Sequence, residues 1–156
     1  MKIFKLTLLG AAILVIALSV FAQTGYTKKD SPSGEVVALT KKDFLEKIYN
    51  FEKNKDRFVY EGNLPCIIDF YADWCAPCKK VEPILKELAK EYKGKVNFYK
   101  INTDNEKELA RFFRINSIPT YFFIPANGNP QSYSGAIPRE SFVEVITEFL
   151  LKITSP

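Results

Sequence analysis

Five short segments along the chain, most of them rich in apolar residues, predict the strands of a β-sheet. They cover residues 36–39, 67–71, 96–101, 121–124 and 132–134. The last two runs are joined by the turn-forming sequence at 127–129. The run at 67–71 is apolar almost throughout, which is typical of a strand that is buried on both faces of a sheet.

Helical spacing of apolar residues fills the gaps between these strands. Thr40 is an expected N-cap with Asp43 three residues on, and Phe44, Ile48 and Phe51 follow on one helical face. The other helices are predicted at the apolar stripe of 81–92, which Gly94 ends, and at 106–113 and 139–151. The resulting order βαβαβαββα predicts an α/β fold, a mixed sheet with helices on both faces.

The N-terminal segment resembles an export signal more than a part of the fold. Lys2 and Lys5 form a basic start, and a long uncharged apolar run follows them. We expect residues 1–22 to be a signal peptide, or a membrane anchor if they are not cleaved, because the run could span a bilayer. Residues 23–34 are then a flexible leader and residues 35–156 the domain, which would be periplasmic or otherwise exported.

Composition argues against several functions. With 47% hydrophobic residues, a chain of 156 residues can bury a substantial core. The net charge of +4 is small and no basic stripe accompanies the aromatic residues, so no nucleic acid is expected as a partner. The absence of histidine excludes Ser-His and Cys-His nucleophile pairs and imidazole metal sites. No metal and no cofactor are predicted.

Two cysteines, Cys75 and Cys78, lie between a predicted strand and a predicted helix. Thiols at this spacing can open and close a disulfide within one helical turn, which indicates thiol–disulfide redox chemistry. The alternatives are a static structural disulfide and half of a zinc site, for which only Cys66 remains as a further thiol. We interpret Cys66, three residues before Asp69 inside the buried strand, as an inert core cysteine, with a regulatory thiol as the alternative.

Four separate motifs follow one another between residues 36 and 151. They are Asp69 to Lys79 with Pro83 after it, Lys100-Ile101-Asn102-Thr103-Asp104, Ser117-Ile118-Pro119-Thr120, and Ser134-Gly135-Ala136. In their order and spacing the motifs resemble the thioredoxin family. That resemblance implies the thioredoxin fold, a central mixed β-sheet of about five strands flanked by helices on both faces. The chain departs from the family at Tyr71, usually tryptophan, at Ala76, usually glycine, and in a longer segment at 50–65.

The resemblance also implies roles for the residues around the pair. Cys75, expected at the exposed N-terminus of a helix, is the expected nucleophile because backbone N–H groups and the macrodipole favour a thiolate there. Cys78, one turn further, is the expected resolving thiol and should be shielded. Burial should raise the pKa of Asp69 and make it a proton acceptor for Cys78, unless it is only a structural carboxylate. Lys100 is expected nearby as a modulator, or else as a solvated strand-end lysine.

The substrate is expected to bind next to the cysteine pair. The proline of the third motif is cis in the family, which would leave the backbone of Ile118, before Pro119, free to pair with an extended segment. The remaining residues predicted for this surface are Trp74, Ala76, Pro77 and Gly135. Alternatives are a half-buried core position for the tryptophan and plain turn roles for the proline and the glycine.

The function implied is that of an exported monomeric protein-disulfide reductase. Its partners would be protein disulfide substrates and an inner-membrane thiol reductase as electron donor. An oxidase or isomerase on the same fold is the nearest alternative, but Ala76 and Pro77 supply no charge that would stabilise the thiolate and make the pair more oxidising. A thioredoxin-like binding module with incidental cysteines is the alternative outside enzymology.

Overall fold

The computed structural model describes residues 33–152. Within them the strands are β1 Val36–Ala38, β2 Cys66–Tyr71, β3 Asn97–Asn102, β4 Thr120–Ile124 and β5 Gln131–Ser134. The α-helices are α1 Lys41–Lys47, α2 Ala76–Glu91, α3 Lys107–Phe112 and α4 Arg139–Val145, and α4 continues as a π-helix over Ile146–Leu151. This order of elements is the predicted one, with boundaries that shift by a few residues.

The predicted signal peptide or anchor at 1–22 lies outside the described residues, as does most of the predicted leader at 23–34. Within residues 33–152, no helix combines the length and the apolar character needed to cross a membrane.

The strands form one mixed sheet in the order β1–β3–β2–β4–β5. β3 pairs in parallel with both β1 and β2, whereas β4 is antiparallel to β2 and β5 is antiparallel to β4. β2 is therefore the central strand, and it is buried along its length except for the partly buried Tyr71 at its end. The mixed sheet of five strands predicted from the sequence is confirmed.

Helices cover both faces of this sheet. On one face, α2 and α4 pack over apolar side chains that include Ile67 and Phe123. On the other face, α1 and α3 pack over a second cluster that includes Ile68 and Ile101. Successive residues of a strand point to opposite faces, so Asp69 shares a face with Ile67 and with helix α2. This placement puts the carboxyl of Asp69 below the start of α2.

Helix α1 begins as the sequence predicts. The side-chain oxygen of Thr40 accepts the backbone N–H of Asp43 at 3.2 Å, and the Asp43 carboxylate accepts the backbone N–H of Thr40 at 3.2 Å. This reciprocal pair is a capping box and satisfies two donors that the helix would otherwise leave unpaired. Phe44 and Ile48 are buried, whereas Phe51 lies beyond the helix and is only partly buried.

The helix predicted over 139–151 is present, but it is α-helical only as far as Val145. From Ile146 its hydrogen bonds are of the wider π type. The fully buried positions are Phe142, Ile146 and Leu150, while Val145 and Phe149 are partly buried. The fully buried positions of this helix therefore recur every four residues and include Leu150.

The described segment 50–65 contains no helix or strand and packs against the domain through aromatic side chains. The hydroxyl of Tyr60 donates to the backbone carbonyl of Leu64 at 2.6 Å, which closes a loop at its end. Phe51 stacks on Phe112 of α3, with ring centroids 4.0 Å apart. The segment is therefore joined to the α3 side of the domain, away from the helix that carries the cysteines.

Candidate active site

The loop between β2 and α2 brings the two cysteines together. Cys75 is the N-cap of α2 and is joined to Cys78 by a disulfide, with the two Cα atoms 5.3 Å apart. The backbone N–H of Cys78 donates to the Cys75 sulfur at 3.2 Å. The first sulfur thus accepts a hydrogen bond from the end of a helix where unpaired N–H groups favour negative charge. Pro77 lies in the first turn, where its missing N–H breaks no helical bond.

Both cysteines are buried in this disulfide form, which corrects the expectation of an exposed Cys75 beside a shielded Cys78. Cys75 is 3% exposed and Cys78 is 5% exposed. The bridge packs against Ala72, and the partly buried Tyr71 and Ile118 lie against it. The two cysteines are therefore buried to a similar extent in the disulfide. What distinguishes them is their position at the start of α2, where Cys75 is the N-cap and Cys78 lies in the first turn.

Asp69 carries its carboxyl into an apolar setting. The residue is 6% exposed, and its Oδ1 atom has no hydrogen-bond partner among the described residues. Burial penalises the charged form and raises the pKa of Asp69 to about 7; Lys100 opposes this rise and Glu82 adds to it. The carboxyl can therefore be protonated or ionised close to neutral pH, as its burial in the strand led us to expect.

Asp69 and Cys78 line one pocket of about 300 Å³. The other residues that line it are Tyr71, Ala72, Asp73, Lys79, Glu82 and Lys100. A space of this size, with charged and polar groups on its walls, can hold water. The predicted proton acceptor and the predicted resolving cysteine therefore share a space through which a proton can pass.

Lys100 is a neighbour of Asp69, because the two residues are register partners in the parallel pair of β2 and β3. Its ammonium nitrogen Nζ lies 3.6 Å from a carboxylate oxygen of Glu82 and 5.0 Å from the centroid of the Tyr71 ring. Lys100 is thus held at the pocket and is not a solvated strand-end lysine. Glu82 was missed in the sequence, although its position four residues after Cys78 puts it on the same side of α2.

The loop before β4 brings three residues of the predicted substrate surface together. The peptide bond between Ile118 and Pro119 is cis, as the resemblance implies. The carbonyl of Pro119 accepts the backbone N–H of Gly135 at 2.8 Å. Gly135 has a φ of +106°, in the left-handed region that favours glycine. Since Ile118 also packs against the cysteine pair, this loop lies directly beside the disulfide.

Trp74, Ala76 and Pro77 are exposed around the cysteine pair. Trp74 is 70% exposed, and its indole Nε1–H donates to the Asp104 carboxylate at 2.9 Å. The alternative of a half-buried core tryptophan is therefore wrong, and the ring is held at the surface toward the loop after β3. Asp104 was not recognised as its partner, although it belongs to the second of the four sequence motifs.

Cys66 is fully buried at the start of β2. It packs in the apolar cluster on the face of the sheet opposite Asp69, together with Ile68 and Phe70. This position agrees with the core interpretation and separates Cys66 from the Cys75–Cys78 disulfide.

Solved thioredoxins share this fold. The structure matches chloroplastic thioredoxin z with a TM-score of 0.60 at 23% sequence identity, covering 73% of this chain and 93% of the other. It matches a mutant thioredoxin from Halobacterium salinarum NRC-1 with a TM-score of 0.60 at 22% identity, covering 78% and 95%. The fold, together with the Cys75–Cys78 disulfide at the start of α2, defines a protein of the thioredoxin-fold class.

Sequence comparisons give the family. The Thioredoxin family model matches residues 35–148. A thioredoxin of Borreliella burgdorferi is 37% identical over 113 residues, covering 72% of this chain and 96% of the relative. The M-type chloroplastic thioredoxin of Spinacia oleracea is 42% identical over 93 residues, covering 60% of this chain and 51% of its own. The chain belongs to the thioredoxin family, and with its Cys75–Cys78 pair it is a thioredoxin-like protein-disulfide reductase.

Proposed function

We propose that the protein reduces disulfides of other proteins, with Cys75 as the attacking thiolate, Cys78 as the resolving thiol and Asp69 as the acceptor of the Cys78 proton. The observation that carries this proposal is the difference between the two cysteines. Cys75 caps α2 and its sulfur accepts a backbone N–H, whereas Cys78 lines the pocket that contains Asp69. One position favours a thiolate, and the other has a base within reach.

The proposed cycle starts from the reduced pair. The Cys75 thiolate attacks one sulfur of the substrate disulfide, forms a mixed disulfide with it and releases the second substrate sulfur as a thiolate, which takes a proton from water. Cys78 gives its proton to the Asp69 carboxylate, and the Cys78 thiolate attacks the Cys75 sulfur. The first substrate sulfur then leaves as a thiolate and is protonated. Two electrons have passed to the substrate, and the Cys75–Cys78 disulfide remains.

The raised pKa of Asp69 supports its role as proton acceptor. A base works best when its pKa lies near the working pH, because it must both take up and release the proton. At about 7, the pKa of Asp69 meets this requirement, whereas an ordinary aspartate near 3.8 would be a much weaker base. In the proposed cycle Asp69 returns the proton to the Cys78 sulfur through the shared pocket when the pair is next reduced.

The substrate is proposed to bind as an extended segment across the loop before β4. There the backbone of Ile118 would pair with the substrate chain next to Pro119, in the manner of an added strand. Support comes from the contact of Ile118 with the cysteine pair and from the hydrogen bond that ties Gly135 to Pro119. The exposed Trp74, Ala76 and Pro77 would border the same surface.

The compartment and the partners are proposed from the sequence at the N-terminus. A basic start followed by an uncharged apolar run at 1–22 supports export to the periplasm, with retention on the membrane if the segment is not cleaved. An exported reductant works in an oxidising compartment and needs electrons delivered from inside. We therefore propose an inner-membrane thiol reductase as the electron donor. We also propose that the protein works as a monomer.

The second candidate function is that of a disulfide oxidase or isomerase. It is less well supported because Ala76 and Pro77 place no positive charge next to Cys75. The reduction potential of the pair distinguishes the two. A potential of about −270 mV, as in thioredoxin, supports the reductase. A potential of about −120 mV, as in a strong dithiol oxidant, overturns the reductase proposal.

Trapping tests the roles of the two cysteines. Cys78→Ser should accumulate a mixed disulfide between Cys75 and a substrate such as insulin, because the resolving thiol is missing. Cys75→Ser should form no such adduct and should lose insulin reduction with dithiothreitol as electron donor. Cys66→Ala is the matched control and should keep full activity. If the unmodified protein accelerates insulin reduction by dithiothreitol no more than Cys75→Ser does, the cysteines are incidental and a binding module becomes the better account.

A further inference from the structure

Glu82 is a charged residue that lines the pocket, and it has no role in the proposed cycle. It lies on α2 one turn after Cys78 and lines the same pocket as Cys78 and Asp69. Its carboxylate contacts two cations, Lys86 at 2.9 Å and Lys100 at 3.6 Å. These contacts hold the pKa of Glu82 below its usual value, with the hydrogen bond from Lys86 as the largest cause. Glu82 is therefore an anion at neutral pH.

The Lys100 ammonium is held by neighbours other than Asp69. It is paired with Glu82, and it lies over the ring of Tyr71. Among residues 33–152, no lysine or arginine forms an ion pair with Asp69. A cation in direct contact with Asp69 would stabilise the carboxylate and make it a weaker base.

Asp69 also faces groups from each element that packs against it. These are Lys79 and Glu82 from α2, Lys100 from β3, the buried hydroxyl of Tyr121 from β4, and Asp73 at the end of the pocket. Of these, only Lys100 lowers the pKa of Asp69 appreciably, whereas Glu82 raises it. The balance between Lys100 and Glu82 therefore decides how strongly the field in the pocket opposes ionisation of Asp69.

We propose that Glu82 is a positioning residue that holds the Lys100 ammonium in the lining of the pocket, and thereby sets how readily Asp69 takes the proton from Cys78. This inference rests on the proposed function, in which Asp69 is that acceptor. Two effects act in the same direction. Glu82 neutralises the cation nearest to Asp69, and its own negative charge opposes a second negative charge in the pocket. Lys86 anchors Glu82 from the outer side of the helix.

The test is a pH titration of the Asp69 carboxyl carbon by NMR in Glu82→Gln, in the full chain with the disulfide closed. Released from Glu82, Lys100 can turn to Asp69, so the pKa of Asp69 should fall by about one pH unit. Glu87→Gln is the matched control, since it removes the same charge from an exposed position of α2 outside the pocket. It should leave the titration unchanged.

A second variant tests whether Glu82 acts through Lys100. Lys100→Met should raise the pKa of Asp69, and in that background the further change Glu82→Gln should produce less than half of its effect in the unmodified protein. An equal effect in both backgrounds would overturn the positioning role, since Glu82 would then act only through its own charge. No shift in Glu82→Gln at all would overturn it as well.

The titration uses the resting oxidised protein and needs no substrate, so it can fail independently of the proposed function. That function is tested by Asp69→Asn, which should slow release of substrate from the mixed disulfide. If release is not slowed, Asp69 is not the acceptor, whatever Glu82 does to its pKa. If release is slowed but Glu82→Gln leaves the titration unchanged, the reductase mechanism stands and the role of Glu82 is wrong.

Discussion

Asp69 is buried in an apolar environment that disfavours the charged form of its carboxyl. In the folded chain its pKa is about 7, compared with 3.8 for an ordinary aspartate. Each unit of difference between the folded and unfolded values corresponds to about 1.4 kcal/mol of stability. A side chain useful for proton transfer at neutral pH therefore reduces the stability of the domain at the same pH.

We predict that Asp69→Asn stabilises the oxidised protein at pH 8 by about 4 kcal/mol and changes it little below pH 4. Below pH 3.8 both the folded and the unfolded chain hold the Asp69 proton. Between pH 3.8 and about 7 only the folded chain holds it, so the stability of the native protein falls as pH rises through this window. Denaturant unfolding at several pH values measures the difference.

Asp43 is a control residue, because its pKa is shifted in the direction opposite to that of Asp69. Its hydrogen bonds to Thr40 hold its pKa below the usual value, so its contribution is present at neutral pH and is lost on acidification. Asp43→Asn should therefore destabilise the protein at pH 7. A gain in stability from Asp69→Asn that is equal at pH 4 and pH 8 would show that the buried charge is not its cause.

Tyr121 buries a hydroxyl that has no hydrogen-bond partner among the described residues. The residue is 0% exposed, and burial raises the pKa of its phenol. We predict that Tyr121→Phe raises the free energy of unfolding by about 1 kcal/mol, because a buried polar group without a partner is removed and the ring is kept. Thermal unfolding measures the change.

The matched control is Tyr49→Phe. The hydroxyl of Tyr49 donates to the backbone carbonyl of Asn54 at 2.6 Å, so its removal should lower the stability by about 1 kcal/mol. If the two substitutions shift the stability in the same direction, hydrogen bonding does not explain the effect at Tyr121.

Helix α3 ends in a conformation that its sequence disfavours. Arg114, two residues after the last residue of α3, has a φ of +51°, and the N–H of Ile115 donates to the carbonyl of Ala110 at 2.8 Å. A left-handed residue at this place lets the following N–H groups reach the last carbonyls of the helix, and it is usually glycine. Arg114 adopts this turn at the cost of steric strain at its Cβ atom.

Arg114→Gly should therefore raise the free energy of unfolding by about 0.5–1 kcal/mol, the relief of strain being partly offset by the greater freedom of glycine in the unfolded chain. Arg114→Ala keeps the Cβ atom and should bring no such gain. Chemical denaturation of the three proteins decides the point, and an equal gain in Arg114→Ala would assign the effect to the arginine side chain.

What the sequence could predict of these elements depended on local information. The capping box at Thr40, the buried strand β2 and the helix after Cys78 follow from neighbouring residues, and all are present. The burial of Cys75 could not be predicted, because it depends on Ile118 from a remote loop. From the sequence alone, Glu82 is one of several charges on a helix face, because its ion pair with Lys100 depends on how α2 packs on β3.

The segment 50–65 shows how a stretch of chain without regular secondary structure is attached to the domain. It contributes rings to a cluster with α1 and α3 in place of regular hydrogen bonding. Besides the stacked pair of Phe51 and Phe112, the rings of Tyr49 and Phe58 lie 4.8 Å apart. Phe112 remains 45% exposed even in this cluster, and the ring of Phe51, 4.0 Å away, is nearer to it than that of Phe113 at 5.0 Å.

We predict a coupling of about 1 kcal/mol between Phe51 and Phe112, beyond the sum of the two single effects. The variants are Phe51→Ala, Phe112→Ala and the double variant, compared by denaturant unfolding. Phe51→Ala combined with Tyr133→Ala is the control, since Tyr133 is an exposed ring of β5 on another part of the domain. Additive effects at Phe51 and Phe112 would mean that the stacked rings do not fasten the segment.

Trp74 gives the domain an internal optical reporter. It is the only tryptophan of the chain, it directly precedes Cys75, and its indole is held at the surface by Asp104. Disulfides quench indole emission by electron transfer, and thiols do so less. Trp74 emission, excited beyond the tyrosine absorption, should therefore increase when the disulfide opens. Each opening and closing of the disulfide can then be followed in real time without a label.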